Sequence, residues 1–213
     1  MNARAFSTPA QLFSDYSRRL SAMLETFDWE PVERLAYDLL DCWRSGRQVF
    51  LAGNGGSAAN AGHLANDLLY AVSKMPGSGL RAHSLAANPS VMSCLANDEG
   101  YDQVFALQLG VLARKGDVLI ALSGSGNSPN IIRALEQAKV IGMTSYAVVG
   151  FTGGNARAIA DVPIHFVIDD MQIAEDAQLI VGHVVMQWLY TKRGDVTSSR
   201  DAASDAASFR DKN

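Results

Sequence analysis

Five short apolar segments, each separated from the next by a stretch with helical spacing, constrain this chain more than any other feature. They are QVFLA (48–52), LRAHSLA (80–86), DVLIALS (117–123), TSYAVVG (144–150) and VPIHFVI (162–168). Between them lie SAANAGHLANDLLYAV (57–72), YDQVFALQLGVLA (101–113), SPNIIRALEQAKVIG (128–142) and a short helical stretch near 155–160, and a long helix over 173–192 follows the last strand. Strands that alternate with helices must run parallel, because each return crossing is made by a helix, and such sheets are covered on both faces. The expected fold class is therefore α/β, a doubly wound five-stranded parallel sheet flanked by helices.

Two amphipathic helices precede the first strand. One carries Leu12, Phe13, Tyr16, Leu20, Met23 and Leu24 within 9–26, and the other Val32, Leu35, Ala36, Leu39, Leu40 and Trp43 within 31–45. They stand outside the alternating unit, so a partner subunit is the natural cover for them. A length of 213 residues suits one sizeable domain, expected over 1–193: N-terminal helices 9–45, an α/β core 48–170 and the last helix. Residues 194–213, GDVTSSRDAASDAASFRDKN, are small, polar and charged, and are expected to be a disordered tail.

A net charge of −4 without Lys/Arg clusters argues against a nucleic-acid surface. No apolar run reaches bilayer-spanning length, and the N-terminus has no apolar core ahead of a small-residue cleavage site. Cys42 and Cys94 lack CxxC spacing, which fits two free thiols in a cytoplasmic protein.

Two loops carry the chemistry. Gly53-Asn54-Gly55-Gly56-Ser57 leaves a strand and enters a helix, where free backbone N–H groups and the positive helix end converge. Ser123-Gly124-Ser125-Gly126-Asn127-Ser128-Pro129 does the same after the third strand, with three hydroxyls and a proline suited to the first helical turn. Neither is a nucleotide loop. The third glycine of a dinucleotide fingerprint is replaced by Ala58, the following strand ends without an acidic residue for a ribose, and no Gly-Lys-Ser/Thr occurs. Neutral hydroxyls suit a phosphomonoester on a small sugar.

GNGGSAANAGH, CLANDEGYD and ALSGSGNS together resemble the sugar isomerase (SIS) domain, and within it the phosphoheptose isomerases, over residues 10 to 192. The resemblance implies interconversion of sedoheptulose 7-phosphate and D-glycero-D-manno-heptose 7-phosphate through a cis-enediol, feeding lipopolysaccharide or another bacterial surface glycan. It implies a cytoplasmic homotetramer in which the early helices and the last helix form a central bundle. Sugar-phosphate contacts carry over to Asn54, Gly55, Ser57, Asp98, Ser123, Gly124, Ser125 and Ser128, and Glu175 joins them as a substrate-side residue. A zinc ion, one per subunit, is implied on His63, Asp67, Glu175 and His183, with Asp67 and His183 as base and acid.

The match has departures. Asp67 stands where the family has glutamate, Glu175 where it has glutamine, and Gly124 where heptose enzymes often have threonine. Asp176 has a face-matching spacing to His183 as well, so Glu175 and Asp176 are both open as ligands. Leu69-Tyr70-Ala71 occupies the region where many members carry a substrate-contacting arginine. His83 and His165 lie in strand patterns without acidic neighbours and are read as structural. A different class of protein shares the first loop and its histidine: a non-catalytic SIS protein that binds a sugar phosphate or the replication initiator DnaA. That branch lacks the last-helix histidine, so His183 favours an enzyme.

Overall fold

The computed structural model describes residues 7–196. Its centre is a parallel sheet of β1 (Gln48–Gly53), β2 (Arg81–Ser84), β3 (Val118–Ser123), β4 (Thr144–Val149) and β5 (Val162–His165), in the spatial order β2-β1-β3-β4-β5. The helices are α1 (Pro9–Thr26), α2 (Glu30–Ser45), α3 (Gly55–Asn66), α4 (Pro89–Asp98), α5 (Ala106–Leu112), α6 (Pro129–Ile141), α7 (Gly154–Ile159) and α8 (Met171–Thr191). The strand order reverses between β1 and β3, and a crevice opens outside the carboxyl ends of strands at such a point. Both glycine-serine loops leave the sheet there.

Alternation within the strands sends side chains to two cores. Val49, Leu51, Val118, Ile120 and Leu122 face α2, α3 and α8, whereas Phe50, Ala52, Leu119 and Ala121 face α5 and α6. The second helix buries Val32, Leu35, Ala36, Leu39, Leu40, Cys42 and Trp43, and the Trp43 indole donates to the Ser78 carbonyl at 2.8 Å. Burial pushes the Cys42 thiol up to about 11, and both Cys42 and Cys94 are free, as expected of the sequence.

The first helix is different, because none of its residues is buried. It touches the body through Met23 and Leu24 and through polar ties to the start of α8. Arg19 bonds Asp170 at 2.7 Å and Asp15 at 2.7 Å, and the Tyr16 hydroxyl donates to Asp176. Phe13 is 65% exposed and Leu12 40%, so the N-terminal part of its apolar face is uncovered among the described residues.

The sequence reading places the strands correctly and runs some elements long. The second strand spans 81–84 rather than 80–86, and the fifth 162–165 rather than 162–168. The helix expected over 101–113 is formed only from Ala106, with residues 101–105 in turns. One helix is absent from the sequence reading. Residues 89–98 bury no side chain, so no hydrophobic period marks α4; its signal is local, Asn88 accepting from the Ser90 and Val91 amides with Pro89 in the first turn. The expected tail lies outside the described residues, apart from 194–196.

Asp170 joins α1 to α8. Burial raises its pKa, but the Arg19 hydrogen bond and charge and the Ile173 and Gln172 amides outweigh this, so the folded pKa is held below the ordinary carboxylate value. Its stabilisation is therefore present above the unfolded pKa, about 3.9, and is lost as pH falls through the folded value. Removing the guanidinium should shrink that acid-side loss. Thermal melts of wild type and Arg19→Ala across pH 3 to 7 should show a gap that is widest near neutrality and closes towards the acid end.

Candidate active site

The site begins with two parallel helices held unusually close. A Cβ on Gly182 of α8 would lie 2.1 Å from Leu64 Cδ2 of α3, so only glycine permits this approach. The contact brings His63 Nε2 within 2.8 Å of His183 Nε2. Asp67, one turn beyond His63, places Oδ2 at 3.4 Å from His63 Nε2 and 3.8 Å from His183 Nε2. The carboxylate is nearly buried while both imidazoles are about half exposed, so the cluster opens outward.

Asp67 also opens a π-helical turn, Asp67–Ala71, in which the Val72 amide bonds the Asp67 carbonyl at 2.8 Å. The wider turn leaves the Leu68 carbonyl free, and it accepts from Leu80 N at 2.9 Å instead. Such turns recur at functional sites, and this one departs from the uninterrupted helix that the sequence suggests over 57–72.

Among the described residues, His63, Asp67 and His183 form a group able to hold a metal ion. Tetrahedral zinc with Zn–N of roughly 2.0–2.1 Å spaces its donor atoms roughly 3.3 Å apart. Separations of 2.8, 3.4 and 3.8 Å bracket that value, and two imidazoles with a carboxylate suit zinc chemically. The donors fit.

Glu175, expected as the fourth ligand, stands apart from the trio. Its Oε1 lies 2.4 Å from where a Cβ on Gly56 would be, over the first turn of α3. Asp176, the other open candidate, points to α1, where it accepts from Tyr16. The implied four-donor set is thus a trio here, because the α8 backbone turns Glu175 towards the glycine loop and Asp176 away from it.

Beside the trio is a cleft of about 290 Å³, lined by Asn54, Gly55, Gly56, Ser57, Leu122, Ser123, Gly124, Ser125, Ser128, Met171 and Glu175. The loop residues expected to contact the sugar phosphate, Asn54, Gly55, Ser57, Ser123, Gly124, Ser125 and Ser128, are all in this lining. The loop hydroxyls are oriented by what they accept: Ser57 Oγ from Gln178 Nε2 at 3.0 Å, Ser123 Oγ from Gly126 N at 3.1 Å and Ser125 Oγ from Asn127 N at 3.3 Å. Each O–H remains available to donate to an anion. Among the described residues the lining contains no lysine or arginine, so an anion placed there would meet amide and hydroxyl donors and the α3 helix end.

Gly124 has its own cause. A Cβ there would lie 2.3 Å from Met171 Sδ, so the thioether occupies the space that a larger residue would need. The loop is buttressed from behind by the β4–α7 turn: Gly150 N bonds Gly124 O at 2.9 Å and Ala156 N bonds Gly126 O at 2.9 Å.

Asp98 is not part of this lining. It sits exposed at the end of α4, accepting from Asn97 Nδ2 at 2.7 Å. His165 bonds the Phe151 carbonyl at 3.0 Å and His83 stacks on Phe50, both away from the site as expected. Sequence reasoning missed Gln178. It is 1% exposed, and it accepts from Asn60 Nδ2 at 3.0 Å while donating to Ser57, which ties α8 to α3 between the cleft and the trio. Its i+3 spacing from Glu175 on the last helix was the available signal.

Residues 12–153 match the SIS domain family. A phosphoheptose isomerase of Chlorobaculum parvum is 35% identical over 183 residues, covering 84% of this chain and 87% of the relative. This chain belongs to the phosphoheptose isomerase family of SIS domains. A phosphoheptose isomerase structure from Neisseria gonorrhoeae superposes with a TM-score of 0.78 at 30% identity, covering 85% of this chain and 96% of the other. One from Francisella tularensis gives 0.80 at 23% identity, with 86% and 97% covered, and supports the fold alone.

The close helix contact makes a prediction. Gly182→Ala forces Leu64 and α3 outward, and overpacking of this kind costs about 1–3 kcal/mol. The melting temperature should fall by several degrees, and zinc affinity measured by competition with a chelator should fall at least about tenfold as the imidazoles separate.

Proposed function

We propose that this chain is an aldose–ketose isomerase that converts sedoheptulose 7-phosphate to D-glycero-D-manno-heptose 7-phosphate. The observation that carries the reading is the pairing of a hydroxyl-lined anion cleft with a histidine–carboxylate trio along the same two helices. Six residues of α3 separate Ser57 from His63, a rise of roughly 9 Å. An extended carbon chain advances roughly 1.25 Å per bond, so C1 and a 7-phosphate stand on the order of 8–10 Å apart. A seven-carbon phosphate fits between the two ends, with its carbonyl beside the trio.

In this reading the Ser57, Ser123, Ser125 and Ser128 hydroxyls and the amides of the Gly55–Gly56 turn hold the phosphate. Asp98 takes no part in this pocket as the single chain forms it. Asp67 takes a proton from C1 and delivers one to C2, while His183 gives a proton to the C2 carbonyl oxygen and then accepts the proton of the C1 hydroxyl as the aldehyde forms. His63, Asp67 and His183 would hold the zinc ion, whose Lewis acidity would polarise that carbonyl oxygen. Glu175 lies on the substrate side, over the first turn of α3. The half-exposed imidazoles, together with the uncovered faces of α1 and of Tyr37 and Val184, support a homotetramer with one zinc per subunit and a shared helical bundle.

Among the described residues, no helix is long and apolar enough to cross a membrane, and the free thiols support a cytoplasmic location. The bacterial surface-glycan pathway is the corresponding biological role. Residues 1–193 act as one SIS domain in this account.

Purified protein supplied with zinc should convert sedoheptulose 7-phosphate to the aldoheptose phosphate, followed by NMR of the sugar. His183→Ala should lower kcat by at least about 100-fold, the usual contribution of a positioned acid or base. Tight binding of the sugar phosphate with no turnover in the zinc-loaded wild type would instead favour a non-catalytic binding protein.

A further inference from the structure

The two anion loops leave neighbouring strands, but nothing in the strand pairing fixes the distance between their tips. Beyond the last strand pair, Gly53–Leu122, an amide pair bridges the first loop to the helix behind the second. Asn54 Nδ2 donates to Asn130 Oδ1 at 2.8 Å, and Asn130 Nδ2 donates to Asn54 Oδ1 at 2.8 Å. Asn54 belongs to the β1 loop and lines the cleft, whereas Asn130 lies in the first turn of α6, behind the β3 loop, and is not in the lining. Asn130 is 2% exposed, and its side chain has no other hydrogen bond among the described residues. Asn54 Oδ1 also accepts from the Tyr101 hydroxyl at 3.0 Å, so both lone pairs of that oxygen are used inside the protein.

This arrangement changes the part Asn54 can play. Its carbonyl is occupied twice and one amide proton is committed, which leaves a single N–H for a ligand. The side chain serves as a strut more than as a contact. A buried amide with two matched bonds strongly resists separation, because breaking the pair leaves two polar groups without partners. The strut spans the gap that the phosphate must bridge, between Gly55 and Ser57 on one side and Ser123 and Ser125 on the other.

We propose that Asn130 is a positioning residue that acts through Asn54 to hold the two loops at phosphate-binding width. It touches no ligand itself. The inference rests on the phosphate reading of the cleft, and it predicts a defect confined to the phosphate end of the site.

The test is a double-mutant cycle in the full-length zinc-loaded protein with Asn54→Ala, Asn130→Ala and the double variant. KM for sedoheptulose 7-phosphate should rise about tenfold in Asn130→Ala, the equivalent of one misaligned hydrogen-bonded contact, with kcat within about twofold of wild type. The double variant should bind no more weakly than the worse single variant, because both remove the same strut. Zinc affinity should be unchanged. If Asn130→Ala does not fold, Asn130→Ser keeps a polar group in the site without the matched pair, and the same rise in KM is expected. A fall in kcat at constant KM would assign Asn130 a merely structural role, and fully additive effects in the cycle would overturn the coupling to Asn54. If the wild type turns over no heptose phosphate, the same cycle is run on the dissociation constant for inorganic phosphate. The isomerase reading then fails while the strut is still judged, on whether phosphate binding weakens in Asn130→Ala and whether the cycle is coupled.

Discussion

Everything chemical in this molecule depends on how closely α3 and α8 can lie side by side. Gly182 is the residue that permits it, since a Cβ would lie 2.1 Å from the Leu64 side chain. Glycine in the interior of a helix costs up to about 1 kcal/mol relative to alanine. Here that cost is offset by placing His63 against His183 at 2.8 Å. The same contact lets Gln178 reach Ser57 and Asn60, so one helix pair serves both the cleft and the trio.

The sheet supplies the second constraint. Because the strand order reverses between β1 and β3, the two glycine-serine loops emerge together with the starts of α3 and α6 behind them. An anion placed there would meet hydroxyls that each already accept one bond, from Gln178 or a loop amide, and whose protons can turn into the cleft. Affinity built from fixed neutral donors needs no cationic side chain, which agrees with a chain carrying net charge −4.

Much of this was legible in the residues. Strand and helix alternation gave the parallel sheet, and the two loops, with His63 and His183 paired by the family resemblance, pointed to the candidate site. Asp67 was legible because an i,i+4 spacing puts it on the histidine's face of α3. What the sequence left hidden depends on side-chain direction and on contacts between distant segments. Glu175 and Asp176 are adjacent, and only the structure shows one over Gly56 and the other against Tyr16. The short helix α4 carries no buried stripe, so periodicity had nothing to detect. The π-helical turn at Asp67 is a rearrangement of backbone bonds that no residue type announces. The Asn54–Asn130 pair joins residues 76 positions apart, beyond any local pattern.

The central claim is that the cleft and the trio act on one substrate by moving a proton between adjacent carbons. Its most direct test is the reaction of sedoheptulose 7-phosphate with the zinc-loaded protein in deuterated buffer, with C2 of the aldose product examined by proton NMR. Proton transfer through an enediol, with acid and base groups open to solvent, predicts deuterium at C2. An aldose that retained a full complement of protium at C2, or the absence of any aldose, would contradict the account.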